Sequence, residues 1–334
     1  MSNKLLLSLF CGCGSFDHGF SSAGFKIGLA LDLSRDAVES YNVNRNSRVA
    51  EVCDLHRTKA KAVVERCIQV SKTKTFSGVI GGAPCQSFSH GNVHKRVNDI
   101  RHSLPKAFAS VTRAMKLQYG IDFFVFENVT GLCSGKHEKV FDGFKADLRR
   151  HFTISETILD AVDYGVPQRR PRLFVVGINK QKYPQQEFKF PCRSLKKQKT
   201  VRDAISKLPA PTISIAGTFS RASQYHPNHR AMAPKSRRFF NGTLHEGNAS
   251  GRSFRVLSWD KPSWTVAYGN REVHVHPSGK RRLSVLEAMI LQGFPKTYKL
   301  CGTLSSQIRQ VSDAVPNQVG YAIAKALKQQ LYST

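Results

Sequence analysis

The feature that most limits the fold of this chain is an alternation, over residues 4–180, of short apolar runs with amphipathic stretches. The apolar runs have the length of strands, and the stretches between them carry apolar residues three and four positions apart, which is the period of a helix. Strands that alternate with helices form βα units and a mainly parallel sheet. The predicted strands are Lys4–Phe10, Ile27–Leu31, Gly78–Ile80 and Asp122–Phe126, and the predicted helices are Asp36–Val43, Lys59–Val70, Leu104–Leu117 and Lys139–His151.

The pattern changes after residue 151, where two β-like stretches, Phe152–Leu159 and Leu173–Ile178, follow one another. The connection between them, which contains Asp163–Pro167, is too short for the crossover helix that joins parallel strands. An antiparallel pair is therefore predicted to end the sheet. Near the carboxyl terminus, residues 316–331 carry apolar side chains at helical spacing, which predicts an amphipathic helix that returns to the first domain.

A second domain is predicted from a change in composition. Residues 186 to about 280 are rich in serine, proline, glycine, arginine and lysine, show little periodicity, and contain both tryptophans, Trp259 and Trp264. A chain of 334 residues is long enough for two domains. We therefore expect an α/β domain of residues 1–185 and 306–334 and a small irregular domain of residues 186–305. Within the small domain, Trp264 is expected in the core rather than at a ligand.

The charge of the chain points to a polyanionic partner. The sequence has 51 lysines and arginines against 23 acids, a formal net charge of +28. Residues 186–305 hold 21 of these basic residues and 6 of the acids, so this segment is about twice as positive per residue as the rest. Nucleic acid is the expected partner, and the alternative is an enzyme with a solvated basic surface.

Cysteine usage indicates a reducing compartment, and hydropathy indicates that no segment spans a membrane. The eight cysteines are scattered, none forms a Cys-x-x-Cys pair, and no signal peptide is recognisable. Cys11-x-Cys13 and His274-x-His276 lack a second pair at the spacing of zinc ligands, so no metal is expected. No apolar run approaches the roughly 18 residues that a bilayer span needs. We expect a cytoplasmic, nucleoid-associated protein with reduced thiols.

A glycine-rich turn, Phe10-Cys11-Gly12-Cys13-Gly14, follows the first predicted strand. In α/β folds a nucleoside binds at this place, although a tight turn that needs glycine explains the same residues. Asp32 ends the second strand, and Asp54 lies near the end of a third. Acids at both places suit an adenosine without a 2′-phosphate, whereas a helix cap or a turn explains each acid equally well by itself.

Two candidate catalytic residues follow strands at the same predicted edge of the sheet. Cys85 lies in the segment Gly81–Ser89, directly after an apolar strand. Its glycine, proline and polar neighbours favour a nucleophile over a buried hydrophobic residue. Glu127 ends the strand Phe123–Phe126, and burial there predicts a raised pKa and a role as an acid. The alternative for Glu127 is an edge residue paired with an arginine.

Six short motifs are spread along the chain in a fixed order. They are Phe10–Gly14, Pro84–Gln86, Glu127–Val129, Gln168–Arg172, Arg281–Pro295 and Asp313–Pro316. In residues and order they resemble the motifs of the DNA (cytosine-5)-methyltransferases of bacterial and phage restriction-modification systems. The resemblance implies a Rossmann-like S-adenosylmethionine-dependent methyltransferase sheet and a target-recognition domain before Arg281. Ser15 and Ser312 stand where the family usually has glycine.

The chemistry implied by the resemblance explains these residue types. Carbon 5 of cytosine is a poor nucleophile, so the Cys85 thiolate is expected to add to carbon 6 before carbon 5 attacks the methyl group of a sulfonium donor. Protonation of N3, supplied by Glu127, makes that addition easier. The resemblance assigns contact with the base to Arg172 and the ordering of its loop to Gln168 and Arg170. Because a duplex hides carbon 6, the cytosine is expected to rotate out of the stack.

S-adenosylmethionine is the cofactor that the resemblance implies. Asp32 is expected to bind the ribose and Asp54 the adenine amino group, with Leu33 and Leu55 flanking the adenine. The full set of expected cofactor-binding residues is Phe10, Gly12, Gly14, Asp32, Leu33, Asp54, Leu55, Pro84, Leu104, Asp313 and Val315.

Double-stranded DNA is the expected partner, bound by a monomer. A restriction endonuclease that acts on the same site, without a stable complex, is a further expected partner. Phosphate contacts are assigned to lysines and arginines of the second domain, and base contacts to its loops. A solvated charge or a core aromatic explains any single one of these residues. The candidate DNA-binding residues are Ser89, Arg237, Arg238, Arg252, Arg255, Tyr268, Asn270 and Arg271.

Three other functions agree less well with the sequence. An RNA cytosine methyltransferase of the same family, acting on tRNA, is disfavoured. The resemblance implies a Cys-Phe-Thr signature in the second domain of such an enzyme, and this chain has only Cys192-Arg193-Ser194 there. A non-catalytic DNA-binding regulator is disfavoured because Cys85, Glu127 and Arg172 are all present. A nicotinamide dehydrogenase would leave the cysteine loop unexplained.

Overall fold

The structure is a computed structural model that describes residues 4–71, 74–84, 103–133, 135–193, 197–214, 225–248, 254–265 and 274–333. The chain divides into two compact units. Unit 1 comprises Met1–Leu159, Pro171–Cys192 and Val319–Thr334, and unit 2 comprises Asp160–Arg170 and Arg193–Gln318. The assignment of cofactor binding to one domain and target recognition to the other stays a prediction.

Unit 1 contains a seven-stranded sheet with the order β3-β2-β1-β4-β5-β7-β6 within the described ranges. Neighbouring strands from β3 to β5 run parallel, whereas β7 runs antiparallel to β5 and is also hydrogen-bonded to β6. The predicted α/β class, with a Rossmann-like sheet and an antiparallel end, is confirmed. The strands are β1 (Lys4–Leu9), β2 (Lys26–Asp32), β3 (Ala50–Val52), β4 (Thr75–Gly82), β5 (Phe123–Asn128), β6 (Phe152–Asp160) and β7 (Pro171–Asn179).

The helices of this unit bury their apolar stripes against the sheet. Strand β5 is buried along its whole length, as expected for the centre of a sheet that is covered on both faces. One face carries a cluster of phenylalanines, in which the rings of Phe108 and Phe126 lie 5.0 Å apart and those of Phe126 and Phe144 4.5 Å apart. Full burial of each such ring contributes about 1.5–3 kcal/mol. The helices are α1 (Ser15–Ser22), α2 (Arg35–Val43), α3 (Ala60–Ser71), α4 (Leu104–Tyr119), α5 (Glu138–Arg149) and α9 (Asn317–Tyr332).

Unit 2 is built from short elements around two small apolar clusters. One cluster includes Val201, Leu257 and Leu286, and Trp264 packs against it, in agreement with the expectation of a core role for that tryptophan. The other includes Phe239 and Val256. Its regular elements are α6 (Val201–Ile205), β8 (Thr212–Ser214), β9 (Arg230–Met232), β10 (Arg255–Val256), β11 (His274–Val275), α7 (Val285–Leu291) and α8 (Leu304–Asp313).

Helix α7 begins with a capping box. The Ser284 hydroxyl accepts a hydrogen bond from the Glu287 N–H at 3.1 Å, and the Glu287 carboxylate accepts one from the Ser284 N–H at 2.7 Å. The same carboxylate, which is buried, accepts two hydrogen bonds from Arg281 at 2.8 and 2.6 Å. This pairing lowers the pKa of Glu287 in spite of its burial.

No helix in the described part of the chain is long and apolar enough to span a membrane.

Candidate active site

The candidate site residues of unit 1 gather at the carboxyl-terminal edge of its parallel strands. Strand β1 ends just before the glycine turn, β2 ends at Asp32, β4 ends at Gly82 and β5 ends just after Glu127. In open α/β sheets this edge is where ligands bind, because loops from neighbouring strands meet there.

The turn after β1 has an unusual backbone. Phe10 has a φ of 54°, and Gly12 and Gly14 have φ values of 53° and 86°. A left-handed conformation at a residue other than glycine costs about 1–3 kcal/mol, so the surrounding structure must hold Phe10 in place. A Cβ atom added at Gly12 would find no other atom within 4 Å. The backbone at Gly12 therefore borders open space that a ligand can approach closely.

Asp32 connects this turn to the end of β2. Its carboxylate accepts a hydrogen bond from the Gly12 N–H at 2.8 Å and another from the Ser34 N–H at 2.9 Å. Burial raises the pKa of Asp32, although these backbone N–H groups act in the opposite direction. Next to it, the Leu33 side chain is 66% exposed. The turn thus offers a carboxylate with further acceptor capacity beside an exposed apolar side chain, which fits the ribose and adenine of a nucleoside.

Asp54 and Leu55 follow β3. Asp54 accepts a hydrogen bond from the His56 N–H at 3.0 Å, and its carboxylate lies 3.5 Å from the Arg57 Nε. The turn role that the sequence left open for Asp54 is therefore present, while its contact with an adenine stays a prediction. Leu55 is buried, and so is Leu104 at the start of α4.

Asp17 is a buried acid beneath the glycine turn that sequence reasoning missed. It accepts hydrogen bonds from the Ser8 hydroxyl and the Tyr41 hydroxyl, each at 2.8 Å. Burial raises the pKa of Asp17, and the Arg45 guanidinium opposes that rise. The sequence does contain a signal for this buried acid. Ser8 interrupts the apolar run of β1, and Asp17 is the only acid between Gly14 and Leu31. The network ties α1, β1 and α2 together under the turn.

Glu127 and Arg172 form an ion pair at the edge of the sheet. The Arg172 Nε lies 3.1 Å from the Glu127 Oε1, and the two side chains are 12% and 8% exposed. Gly82 is opposite Glu127 in the register of β4 and β5, and a Cβ atom at position 82 would lie 2.5 Å from the Glu127 Oε2. The predicted alternative, in which Glu127 pairs with an arginine, is therefore observed. Its partner is itself one of the predicted catalytic residues.

Cys85 and Ser89 lie outside the described residues, but the backbone that leads to Cys85 is described. Strand β4 ends at Gly82, and the Ala83 carbonyl accepts a hydrogen bond from the Asn128 side chain at 3.2 Å. Asn128 directly follows Glu127 on β5. Pro84 is exposed. The segment that precedes Cys85 is thus tied to the end of the strand that carries Glu127.

Gln168, Arg170, Asp313 and Val315 belong to unit 2. Gln168 is fully buried and bridges to Ser263 by its backbone, and among the described residues no group hydrogen-bonds its side-chain amide. Arg170 donates to the Ser312 carbonyl at 2.7 Å, and the Arg170 N–H donates to the Asp160 carboxylate at 2.6 Å. Arg170 therefore ties its segment to the end of α8, where Asp313 is exposed and Val315 is half-buried.

Three of the candidate DNA-binding residues are described, and all are in unit 2. Arg237 and Arg238 lie in a short 3-10 helix, which Phe239 anchors by its burial. The Arg238 guanidinium lies 4.6 Å from the Phe254 ring centroid, and that of Arg255 lies 4.2 Å from the Trp264 ring centroid. Arg252, Tyr268, Asn270 and Arg271 lie outside the described residues.

Comparisons with known proteins agree on one family. A family model described as C-5 cytosine-specific DNA methylase matches residues 5–329. The type II methyltransferase M.NmeDI of Neisseria meningitidis serogroup C is 30% identical over 361 residues, covering 98% of this chain and 84% of the relative. The type II methyltransferase M.FnuDI of Fusobacterium nucleatum is 30% identical over 349 residues, covering 98% and 94%.

Among solved structures, a DNA modification methyltransferase encoded within an Escherichia coli prophage has the same fold. It superimposes with a TM-score of 0.81 at 21% sequence identity, over 98% of this chain and 99% of that one.

Proposed function

Because the chain belongs to the C-5 cytosine-specific DNA methylases, and is therefore a DNA cytosine-5 methyltransferase, we propose that it methylates a cytosine rotated out of duplex DNA, with Cys85 as the nucleophile and S-adenosylmethionine as the donor. The curated relatives are named as type II methyltransferases, which supports a place in a restriction-modification system. An endonuclease that acts on the same DNA sequence is the corresponding partner.

The observation that carries the proposal is the ion pair of Glu127 and Arg172, 3.1 Å apart at the edge of the sheet. A carboxylate and a guanidinium are paired at the end of β5, beside the turn that leads to Cys85. Cytosine presents N3 and the O2 carbonyl on one edge, and a carboxyl group and a guanidinium side by side match that edge. We propose that Glu127 holds a proton at N3, while Arg172 orients Glu127 and contacts O2.

Cys85 would supply the covalent step. Its thiolate adds to carbon 6 and forms a C–S bond, and the electron pair of the 5,6 double bond becomes available at carbon 5. Protonation of N3 stabilises the ring during this addition. Carbon 5 takes the methyl group, with the neutral thioether S-adenosylhomocysteine as the leaving group. A base then removes the carbon 5 proton, the 5,6 double bond forms again as the C–S bond breaks, and N3 returns its proton to Glu127, which restores the thiolate.

The residues at the glycine turn fit the donor. S-adenosylmethionine, when bound, supplies the electrophilic methyl group. The open space at Gly12 and the Asp32 carboxylate would receive its ribose, and the exposed Leu33 would cover its adenine on one side. Phe10, Gly14, Asp54, Leu55, Pro84, Leu104, Asp313 and Val315 complete the proposed cofactor-binding set.

Unit 2 is proposed to bind the duplex. Most of its residues fall within 186–305, the most positive segment of the chain, and DNA affinity depends strongly on such charge. Arg237, Arg238 and Arg255 are the described candidates for contact, and Ser89, Arg252, Tyr268, Asn270 and Arg271 are proposed with them. Gln168 and Arg170 are proposed to order the segment that leads to Arg172.

The decisive experiment traps the covalent intermediate. Duplex DNA with 5-fluorocytosine at the target site, incubated with the enzyme and S-adenosylmethionine, is expected to become irreversibly attached at Cys85, because fluorine cannot leave carbon 5 as the proton does. The target site is found beforehand by bisulfite sequencing of DNA from cells that express the chain.

Two variants complete the test. Cys85→Ala should abolish both attachment and transfer of labelled methyl groups, while it retains duplex binding. Cys192→Ala, which removes an exposed cysteine, should leave both unchanged. Attachment in the Cys85 variant would refute the nucleophile, and methyl transfer to tRNA but not to duplex DNA would refute the substrate.

A further inference from the structure

A cavity of about 600 Å³ lies in unit 1, at the edge of the sheet opposite to the candidate active site. Its walls include Leu5 at the beginning of β1, Lys26 at the beginning of β2, and Lys74 directly before β4. Because these strands are parallel, their first residues lie at the edge remote from Asp32 and Glu127. The volume is in the range of cavities that bind small organic ligands. None of the steps proposed above uses this cavity.

The charged side chains described at the cavity are all positive. Lys26, Arg45 and Lys74 line it, and no aspartate or glutamate is among its described lining residues. Lys26 and Lys74 are exposed, and neither ammonium group forms an ion pair or hydrogen bond with a residue that the structure describes. Asp17 attracts Arg45 electrostatically but does not line the cavity. The two lysine charges are therefore available to a ligand.

Arg45 is held in place, which makes it a fixed charge rather than a mobile one. Its Nη1 donates a hydrogen bond to the Ser21 hydroxyl at 2.8 Å, and its guanidinium lies 4.5 Å from the Tyr41 ring centroid. A charge that is ordered before binding loses little conformational freedom when a ligand arrives. The Asn46 and Ser47 side chains add exposed polar groups on the same loop.

The remaining wall is apolar. Leu5 and Phe25 are buried, and Ile27, Val49 and Val70 are half-buried, so their side chains give the cavity a hydrophobic side. Cations beside an apolar wall match a ligand that has an anionic group and an apolar body. A phosphate monoester carries a charge of about −1.5 to −2 at neutral pH, which suits three cations better than a carboxylate does. The backbone of duplex DNA offers charge but no apolar body for the hydrophobic side.

We propose that this cavity binds a small organic phosphate of nucleotide size, with its phosphate at Lys26, Arg45 and Lys74 and its apolar body against Phe25, Ile27 and Val70. The cavity lies at the opposite edge of the sheet from the proposed reaction site, so this proposal does not rest on the proposed methyl transfer.

Titration calorimetry of the full chain with phenyl phosphate tests this proposal, because the probe has a phosphate and a ring but resembles neither cytosine nor the methyl donor. The expected result is binding at one site, at least about threefold tighter than that of inorganic phosphate, since only the phenyl ester reaches the apolar wall. The double variant Lys26→Ala/Lys74→Ala should weaken binding at least about tenfold. Asn46→Asp, a nearly isosteric change that adds a negative charge, should also weaken it severalfold.

The matched control is Lys139→Ala/Lys325→Ala, which removes two exposed lysines from α5 and α9 and should leave the affinity unchanged. All variants should retain methyl transfer to DNA, which shows that they fold. The proposal is overturned if the unmodified protein binds no phenyl phosphate, or if the control variant loses as much affinity as the Lys26 and Lys74 variant. The Lys26→Ala/Lys74→Ala variant could instead lose affinity for duplex DNA while it keeps its affinity for phenyl phosphate. That result would make the cavity part of the DNA-binding surface and would also overturn the proposal.

Discussion

At the scale of single residues, three strands define the position of the Glu127 carboxylate. Glu127 lies on β5, the Arg172 guanidinium holds its carboxylate from β7, and Gly82 on β4 leaves the space that the carboxylate occupies. The conformation of Gly82 is ordinary, so the glycine is needed there for space rather than for an unusual backbone. A small displacement of a catalytic group costs far more in rate than in stability.

Gly82→Ala is therefore expected to lower kcat by about 100-fold or more, because the added Cβ would lie 2.5 Å from the Glu127 Oε2 and must displace it. The measurement is the kcat and KM of methyl transfer together with the melting temperature. The control is Gly143→Ala in α5, where a Cβ meets no atom within 4 Å. Equal kcat values for the two variants would contradict the steric argument.

The sequence predicted the residues whose positions follow from the pattern of strands. Asp32 and Glu127 are acids at the ends of strands, and parallel strands bring their ends to one edge. The pairing of Glu127 with Arg172 depends on β7 running antiparallel beside β5, a neighbour relation that single-residue patterns do not contain. Asp17 was missed because an acid in the first turn of a helix is common and is usually exposed.

At the scale of elements, long periodic segments were predicted well. The helix expected over 59–70 is α3, Ala60–Ser71, and the helix expected over 104–117 is α4, Leu104–Tyr119. Strand β3 has three residues, too few to show an alternation. In unit 2, the spacing Ser284-x-x-Glu287 predicts a capping box that opens a helix over 284–292, and α7 with its capping box confirms this. The other elements of unit 2 are mostly two to five residues long and are stabilised by tertiary contacts, so periodicity does not predict them.

Two capping boxes in the described part of unit 2 allow a matched prediction at this scale. In α6 the acid is Asp203, which is exposed, and in α7 it is Glu287, which is buried and paired with Arg281. Asp203→Ala is expected to lower the free energy of unfolding only slightly, because the exposed carboxylate is solvated in both the folded and the unfolded chain. Glu287→Ala is expected to lower it by about 3–5 kcal/mol, because the Arg281 charge then loses its buried partner.

Urea denaturation followed by tryptophan fluorescence measures both changes, since Trp259 and Trp264 are partly buried and pack against an apolar cluster of unit 2. Similar losses in the free energy of unfolding for the two variants would show that the burial of Glu287 and its pairing with Arg281 make no further contribution to stability.

At the scale of the whole molecule, charge and protonation control behaviour in solution. A net charge of +28 predicts DNA binding that weakens strongly with salt. About six phosphate contacts would give a slope of about −5 when log affinity is plotted against log salt concentration. Arg237→Ala/Arg238→Ala should make that slope shallower by about 2, one for each lost phosphate contact. Fluorescence anisotropy with a labelled duplex measures it, and a slope that is the same in the variant would remove these arginines from the interface.

Acid should destabilise the protein through two buried histidines. Burial and the nearby Arg255 lower the pKa of His274 to about 4, and burial and Arg281 lower that of His276 to about 4. In the unfolded chain both rings titrate near 6.5, so the unfolded state binds more protons once the pH falls below that value. The contribution to stability is therefore complete above pH 6.5 and is lost as the pH falls toward 4, by up to about 3 kcal/mol for each ring.

His274→Phe, which keeps an aromatic ring beside Trp264, should remove part of this pH dependence. Unfolding free energies at pH 7.5 and 4.5 measure it, with the exposed His245→Phe as the control. If the difference between the two pH values is the same in the His274 variant as in the unmodified protein, the ring is not buried as a neutral group.

Unit 2 takes two separate pieces of the chain, Asp160–Arg170 and Arg193–Gln318, and the bond from Arg170 to the Ser312 carbonyl joins them. On the proposal that unit 2 binds the duplex, a chimaera built to change the target sequence has to receive both pieces together. A graft of the longer piece alone would replace the segments that contact the shorter piece. Gln168 would lose its native partner at Ser263, and Arg170 would lose its native partner at Ser312.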